Sequence, residues 1–287
     1  MAFIFSRKRN KISPSWNYDV AGILWRIMIS PKGFIIGEDR DKEKKTVSFF
    51  CIEIPDGRVL WKDVRFDEPW WIGLEAVHEN VILFHEYAVP DMPGHKKIYA
   101  LDLMTGKLLW SNDNVQFLFA YDNMIYTARE HFEERELFEV DISTGEARRK
   151  VDGTHLAELQ KMIPLANSFA ELPMVLQESE IDSPLQEILH AITSGARKIV
   201  HQEFLKKNDL VLCAYYDEIE HAGSEPQYDE HFVVAEGKNG KILFQDILNT
   251  SINMAVPDAF FCVGDFGYYI KNKKTLSALH IVYEQSR

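Results

Sequence analysis

Short apolar runs closed by polar turns dominate this chain. Val81-Ile82-Leu83-Phe84 and the stretches around Cys51 (SFFCIEI), Cys213 (DLVLCAYY) and Cys262 (AFFCVGD) are strand-length and rich in β-branched and aromatic residues. That pattern predicts buried strands joined by tight turns. One phrase recurs among them: CIEIPDGRVLW at Cys51 to Trp61, YALDLMTGKLLW at Tyr99 to Trp110, FEVDISTGEARR at Phe138 to Arg149, and VVAEGKNGKILF at Val233 to Phe244. In each, an acid precedes a glycine by four residues: Glu53/Gly57, Asp102/Gly106, Asp141/Gly145 and Glu236/Gly240. The acid can accept hydrogen bonds from the turn, and the glycine supplies the positive φ a hairpin needs.

The spacing of these glycines sets the architecture. Gly57 to Gly106 is 49 residues, Gly106 to Gly145 is 39, and Gly145 to Gly240 is 95. A four-stranded blade takes about 40–50 residues, so the long interval holds a blade plus an insertion or else two blades. Composition selects the insertion, because residues 154–195 lose the strand rhythm. Thr154 reads as an N-cap, with Leu156, Leu159 and Ile163 on one face and Pro164 as the stop. Ser183-Pro184 opens a second helix with Leu185, Ile188, Leu189 and Ile192 as its stripe, Gly195 ends it, and Met174-Val175-Leu176 makes a short strand between the two.

The expectation is one all-β domain over residues 1–287, a β-propeller-like array of four-stranded antiparallel blades with that helical insertion. Blades fall at about 26–63, 70–113, 115–152 and 197–248, with a partial one at 252–287. Five blades are favoured, with six the alternative. The last blade lacks a strand, which the N-terminus would supply; Gly22-Ile23-Leu24-Trp25 looks like the end of the repeat.

Composition narrows the partners. A net charge of −12 argues against nucleic acid, which needs a concentrated basic surface. The only basic run near a terminus, Arg7-Lys8-Arg9 with Lys11, reads as a solubilising tail. No apolar stretch approaches the about 20 residues that span a bilayer, so no membrane partner is expected. Ala2-Phe3-Ile4-Phe5 is too short for an export signal. Three scattered cysteines inside apolar runs read as reduced core thiols, which places the chain in the cytoplasm.

The second copy of the phrase, Ala100 to Trp110, resembles the A-x-D-x-x-T-G-K-x-x-W repeat of quinoprotein-like (PQQ-like, WD-type) β-propellers. The resemblance implies blades clasped by tryptophan packed between neighbours. The other copies depart from it: Asp56 or Asn239 replaces Thr105, and Arg149 or Phe244 stands where Trp110 stands. The layout as a whole, with Trp70-Trp71 and the helical interruption, also resembles a bacterial propeller-like family of unknown function, which brings no activity with it. Quinoprotein dehydrogenases are larger and exported and carry adjacent cysteines beside the quinone, so the repeat carries over and the cofactor does not. No cofactor is expected.

Candidate chemistry is thin. Trp70, Trp71, His85, Glu86 and Tyr87, with Tyr215, Tyr216 and Asp217, are placed in loops at one rim and form a candidate binding surface. Asp217, His221, Asp229 and His231 form a candidate divalent-metal set, if Tyr215–His221 and Tyr228–His231 are two arms of a hairpin with a tip at Ala222–Pro226. No nucleophile elbow, phosphate loop or zinc-protease motif is present. The leading expectation is therefore a non-enzymatic binding or scaffold protein whose partner is an unknown protein or small molecule. The alternative is a glycosidase-like hydrolase with two carboxylates about 5–9 Å apart; Glu38, Asp39, Glu86, Asp217, Glu218 and Asp265 are its candidates.

Overall fold

A computed structural model describes residues 12–87, 94–130, 135–162, 169–177, 182–220 and 225–282. The basic run at 7–11, Ile163-Pro164, His221 and the tip at 222–224 lie outside the described residues. The chain divides into two compact units, one of Val20–Phe169 and one of Met1–Asp19 with Ala170–Arg287.

The first unit carries three blades, each an antiparallel meander in simple sequence order. Blade 1 is β2 (Ile23–Ser30), β3 (Phe34–Asp41), β4 (Thr46–Glu53) and β5 (Val59–Val64); blade 2 is β6 (Ile72–His78), β7 (Val81–Tyr87), β8 (His95–Asp102) and β9 (Leu108–Asn112). Blade 3 is β10 (Gln116–Tyr121), β11 (Met124–Glu130), β12 (Arg135–Asp141) and β13 (Ala147–Val151), followed by helix α1 (Gly153–Met162). Blades 1 and 2 share an aromatic core, with Phe49 4.7 Å from Phe84 and Phe66 4.6 Å from Tyr99 between ring centroids.

The acid–glycine phrase has a concrete job here. Gly106 sits at φ +67° and Gly145 at φ +75°. Asp102 Oδ1 accepts the Thr105 N–H at 2.8 Å, and Asp141 Oδ1 accepts the Ser143 N–H at 3.0 Å. Each glycine is covered by the indole of the preceding blade: a Cβ at Gly106 would lie 2.8 Å from Trp61, and one at Gly145 would lie 2.6 Å from Trp110. The same indoles donate to Leu103 O at 2.8 Å and Ile142 O at 2.9 Å. Glycine is thus required twice, by backbone and by contact. Arg149, at the third tryptophan position, pairs with Glu139 at 2.8 Å instead.

The second unit has two blades. In blade 4, Met174–Val175 (β14) adds a fifth strand to β15 (Ile199–Lys207), β16 (Leu210–Ile219), β17 (Gln227–Glu236) and β18 (Ile242–Ile252). Helix α2 (Ser183–Ile192) packs on this sheet through Ile188, Leu189 and Ile192, against Val211, Cys213 and Val233. Its Asp182 cap accepts the Leu185 N–H at 2.9 Å, and proline follows in the first turn. Here α2 takes the indole's place, with Ala191 Cβ 3.4 Å from where a Cβ on Gly240 would stand. The last blade is β19 (Phe260–Val263), β20 (Phe266–Lys271) and β21 (Thr275–His280), completed by β1 (Pro14–Asp19) along β21. Phe244, at the fourth tryptophan position, lies 5.8 Å from Tyr269 of that blade.

Five sheets make five blades, with the helices where composition put them. Two expectations are corrected. The strand borrowed from the N-terminus is Pro14–Asp19, not Gly22–Trp25, which opens blade 1 and leaves Trp25 exposed. Gly22 is needed there because a Cβ would meet Arg40 O at 2.3 Å, while Asp39 accepts the N–H groups of Ala21 and Gly22 at 3.0 and 2.8 Å. Helix α1 is capped by Asp152, which accepts the His155 N–H at 2.8 Å, rather than by Thr154. All three cysteines are free and buried, and burial pushes each thiol up to about 12.

Candidate functional site

Two irregularities in blade 2 gather one polar cluster. In the β6–β7 ladder, Leu74 opposes Phe84 and Ala76 opposes Leu83, so Glu75 is an extra, unpaired residue. In the β7–β8 ladder, His85 opposes Ile98 and Glu86 opposes Lys96, so Lys97 is the extra one, at φ +54°. A bulge adds one residue and resets the alternation beyond it. Strict alternation from Ile98 would send His95 away from His85; the bulge at Lys97 brings it to the same face. Gly73 stands opposite His85, and a Cβ there would come within 3.2 Å of Glu38 Oε1 and make ordinary contact, at 3.7 Å, with the imidazole.

Three side chains meet there. Glu75 Oε2 lies 2.7 Å from His85 Nδ1 and 2.8 Å from His95 Nδ1. The two imidazoles stack face to face, with centroids 3.5 Å apart and planes within 9°. His95 makes a well-aligned hydrogen bond to the carboxylate. His85 is 1% exposed, and among the described residues neither of its ring nitrogens has an aligned hydrogen-bond partner. A buried polar ring with unused capacity is unusual, because such groups are nearly always satisfied. Burial alone would raise the Glu75 carboxyl, but His85 and then His95 outweigh it and hold it below its ordinary value. Burial, then the charge of His85, depresses His95 against the pull of Glu75. Arg26 donates to Leu74 O at 2.8 Å and so fixes the backbone next to Glu75.

Aromatic rings border the trio. Tyr87 meets His85 at 4.9 Å, His95 at 5.5 Å and Trp71 at 6.1 Å, each edge to face. The Tyr87 N–H donates to Trp71 O at 2.9 Å, which ties strand to loop. Trp70 lies apart from this edge, beneath Arg40 at 5.2 Å and Lys45 at 4.8 Å. Glu86 accepts the Tyr99 hydroxyl at 2.5 Å with Lys97 3.6 Å away; burial, and then Glu86, push the Tyr99 phenol up to about 12.

The second unit holds the other anticipated residues. Tyr215, Asp217 and His231 line a cleft of 520 Å³ beside the end of α2. Tyr215 stacks on His231 at 4.8 Å, and burial lowers the imidazole below its ordinary value. Asp217 is committed to the N–H groups of Arg197 and Lys198, both at 2.9 Å, and Asp229 to that of Ser251 at 3.0 Å. Tyr216 points to the opposite face and is buried against Glu230.

His85, Tyr215 and Tyr216 are therefore buried strand residues rather than loop residues, because they continue the apolar alternation of β7 and β16. Among the described residues, the one group of three or more ligand-type side chains whose donor atoms converge is Glu75, His85 and His95. Glu75 and His95 went unrecognised as partners of His85. The signal was their even spacing, ten residues from Glu75 to His85 and ten more to His95, across three successive strands. Of the acids considered for hydrolysis, Glu38 is paired with Arg40 at 2.8 Å, Asp39 caps a turn, and Glu218 binds Lys198 at 2.6 Å.

Residues 29–110 match the model of a domain of unknown function, DUF4905. That stretch contains Glu75, His85 and His95. No curated protein matches the chain. The β-propeller domain of the trilobed protease from Pyrococcus furiosus is similar at 9% identity, over 93% of this chain and 79% of that one, with a TM-score of 0.28. An α-L-arabinofuranosidase from Fusarium graminearum in complex with an iminosugar inhibitor is similar at 11% identity, over 93% and 97% of the two chains, with a TM-score of 0.29. The acylaminoacyl peptidase of Pyrococcus horikoshii is similar at 9% identity over 86% of this chain, with a TM-score of 0.30, and this chain spans 35% of its length. At these values nothing of their activities carries across. No helix among the described residues is long and apolar enough to cross a membrane.

Proposed function

We propose that this chain is a non-enzymatic binding propeller, acting in the cytoplasm, that recognises a flat-faced small molecule or side chain at the edge of blade 2. The supporting observation is the run of rings from Trp71 through Tyr87 to His95, half-exposed and backed by the buried His85. Rings held edge to face on strands and tied by a backbone bond are pre-organised, so little ordering entropy opposes binding. The tryptophan contacts on Gly106 and Gly145 favour a repeat of the quinoprotein-like kind, used as a rigid frame without its cofactor. Glu38, Asp39 and Glu218 hold neighbouring groups, which weighs against a hydrolytic pair of free carboxylates.

A panel of oligosaccharides and aromatic fragments, screened by calorimetry, tests this reading. The expected result is a ligand that Trp71→Ala or Tyr87→Ala weakens by about tenfold or more, the loss typical of a buried aromatic contact. A panel with no ligand dependent on Trp71 or Tyr87 removes the reading. So does turnover of chromogenic glycosides or esters by the wild type that disappears in Glu86→Gln.

A further inference from the structure

We propose that Glu75, His85 and His95 hold a divalent transition-metal ion, for which zinc is the best chemical match. Two imidazoles and one carboxylate are the donor set of His2Glu zinc sites. All three donor atoms lie within 4.8 Å of one another. Two nitrogens bound to a tetrahedral ion at about 2.05 Å would stand about 3.3 Å apart. The stacked rings are already 3.5 Å apart, both Nδ1 atoms turned to the same carboxylate oxygen. Ion entry widens the nitrogen–oxygen distances from 2.7 and 2.8 Å by roughly half an ångström and moves each ring proton to Nε2.

A second observation is independent of that geometry. His85 is sealed in the blade with ring nitrogens that, among the described residues, no protein group meets in aligned hydrogen-bond geometry, although apolar residues fill the rest of β7 from Val81 to Phe84. A histidine kept there for packing alone would be improved by leucine; one kept as a ligand would not. The two bulges point the same way. His95 reaches the face of His85 only because β8 carries one residue too many, at Lys97, and Glu75 is itself the extra residue of β6. Bulges that re-aim side chains concentrate at functional sites.

Three protein ligands leave a coordination position open. His95 is the most exposed of the three, with 31% of its side chain accessible against 14% for Glu75 and 2% for His85. The open position thus faces solvent on the His95 side, next to Tyr87. There a water, or a donor atom of the ligand recognised by Trp71 and Tyr87, completes the shell. That last point alone rests on the binding reading above; the ion itself requires only the trio.

The test uses tag-free, full-length protein stripped with EDTA and titrated with zinc chloride by calorimetry, with cobalt(II) absorption as a spectroscopic readout. One ion per chain is expected, with a zinc-dependent rise in Tm and a tetrahedral cobalt band. His95→Ala, at the partly exposed position, should weaken zinc by more than about 100-fold, beyond the loss usual for a residue that only hydrogen-bonds to a ligand. It should also abolish the cobalt band while leaving the far-ultraviolet circular dichroism unchanged. Glu75→Gln should weaken zinc as well, and His231→Ala should bind as wild type does. Wild-type protein that takes up no ion overturns the proposal, as does zinc bound equally well by His95→Ala. Binding of an organic ligand that depends on Trp71 but not on zinc would sustain the binding reading without the ion.

Discussion

Blades 2 and 4 both bury polar side chains, and they use them differently. In blade 4, His201, Tyr216, Glu230 and Asn249 form one row across four strands. The Tyr216 hydroxyl donates to Val256 O at 2.6 Å, receives the Val256 N–H at 3.2 Å and meets Glu230 Oε1 at 2.8 Å. Glu203, one strand away, accepts the N–H groups of Asp258 and Ala259 at 3.0 and 2.7 Å. These bonds pin the segment that leads into β19, so the acids act as struts. In blade 2 the buried His85 leaves both ring nitrogens without an aligned partner, whereas among the described residues of blade 4 only His201 Nε2 is left so. The lesson is that a buried polar group speaks to function through the bonds it has not made, and composition alone cannot separate the two cases.

The contrast can be broken most forcefully at Glu203. Glu203→Ala strips the acceptor from the Asp258 and Ala259 N–H groups, so stability should fall by about 2–6 kcal/mol at about 1–3 kcal/mol per orphaned group. Urea denaturation followed by circular dichroism measures this, and a loss under about 0.5 kcal/mol would deny the strut role. A smaller effect sharpens the view of Glu230. Burial raises its carboxyl above the ordinary value of 4.5, against the pull of Asn249 and Tyr216. The folded protein therefore holds that proton more tightly than the unfolded chain does. The contribution is fully present below 4.5 and is lost as pH rises through the raised value. Glu230→Gln removes the titrating group at nearly the same shape, so its Tm should gain on the wild type as pH rises from 4.5 through the raised value. A constant difference would mean that the carboxyl is not perturbed. Smallest of all is His85→Leu without metal: removing an unsatisfied polar ring should change stability by less than about 1 kcal/mol, in either direction. A large loss there would mean that His85 is a strut like Glu203.

The sequence showed the blades through the four turn glycines, whose φ values run from +67° to +75°, a region side chains rarely adopt, and two of which, Gly106 and Gly145, also lie beneath an indole. It showed the helices through proline at Pro184 and the stripe from Ile188 to Ile192. The trio was hidden for a specific reason. Strand alternation is a period of two, and each of the bulges at Glu75 and Lys97 shifts it by one without marking the sequence. Trp70 and Trp71 read as one unit in the chain, yet one serves as a lid for Arg40 and Lys45 and the other as the neighbour of Tyr87. The N-terminal strand was mislocated because Trp25 imitates a repeat position, while the true strand offers only Trp16 near Tyr268, at 5.8 Å.

The pairing of β1 with β21 bears on how the molecule is made. Thr275 Oγ1 donates to Asp19 Oδ1 at 2.6 Å across 256 residues of chain. β1 leaves the ribosome long before β21 and must wait, unmatched, until β21 has been synthesised. Closing so long a loop comes late, because its entropy must be lost before the contact returns anything. Once β21 is made and until β1 docks, its free border is open to any stray strand, including β1 of a neighbouring nascent chain.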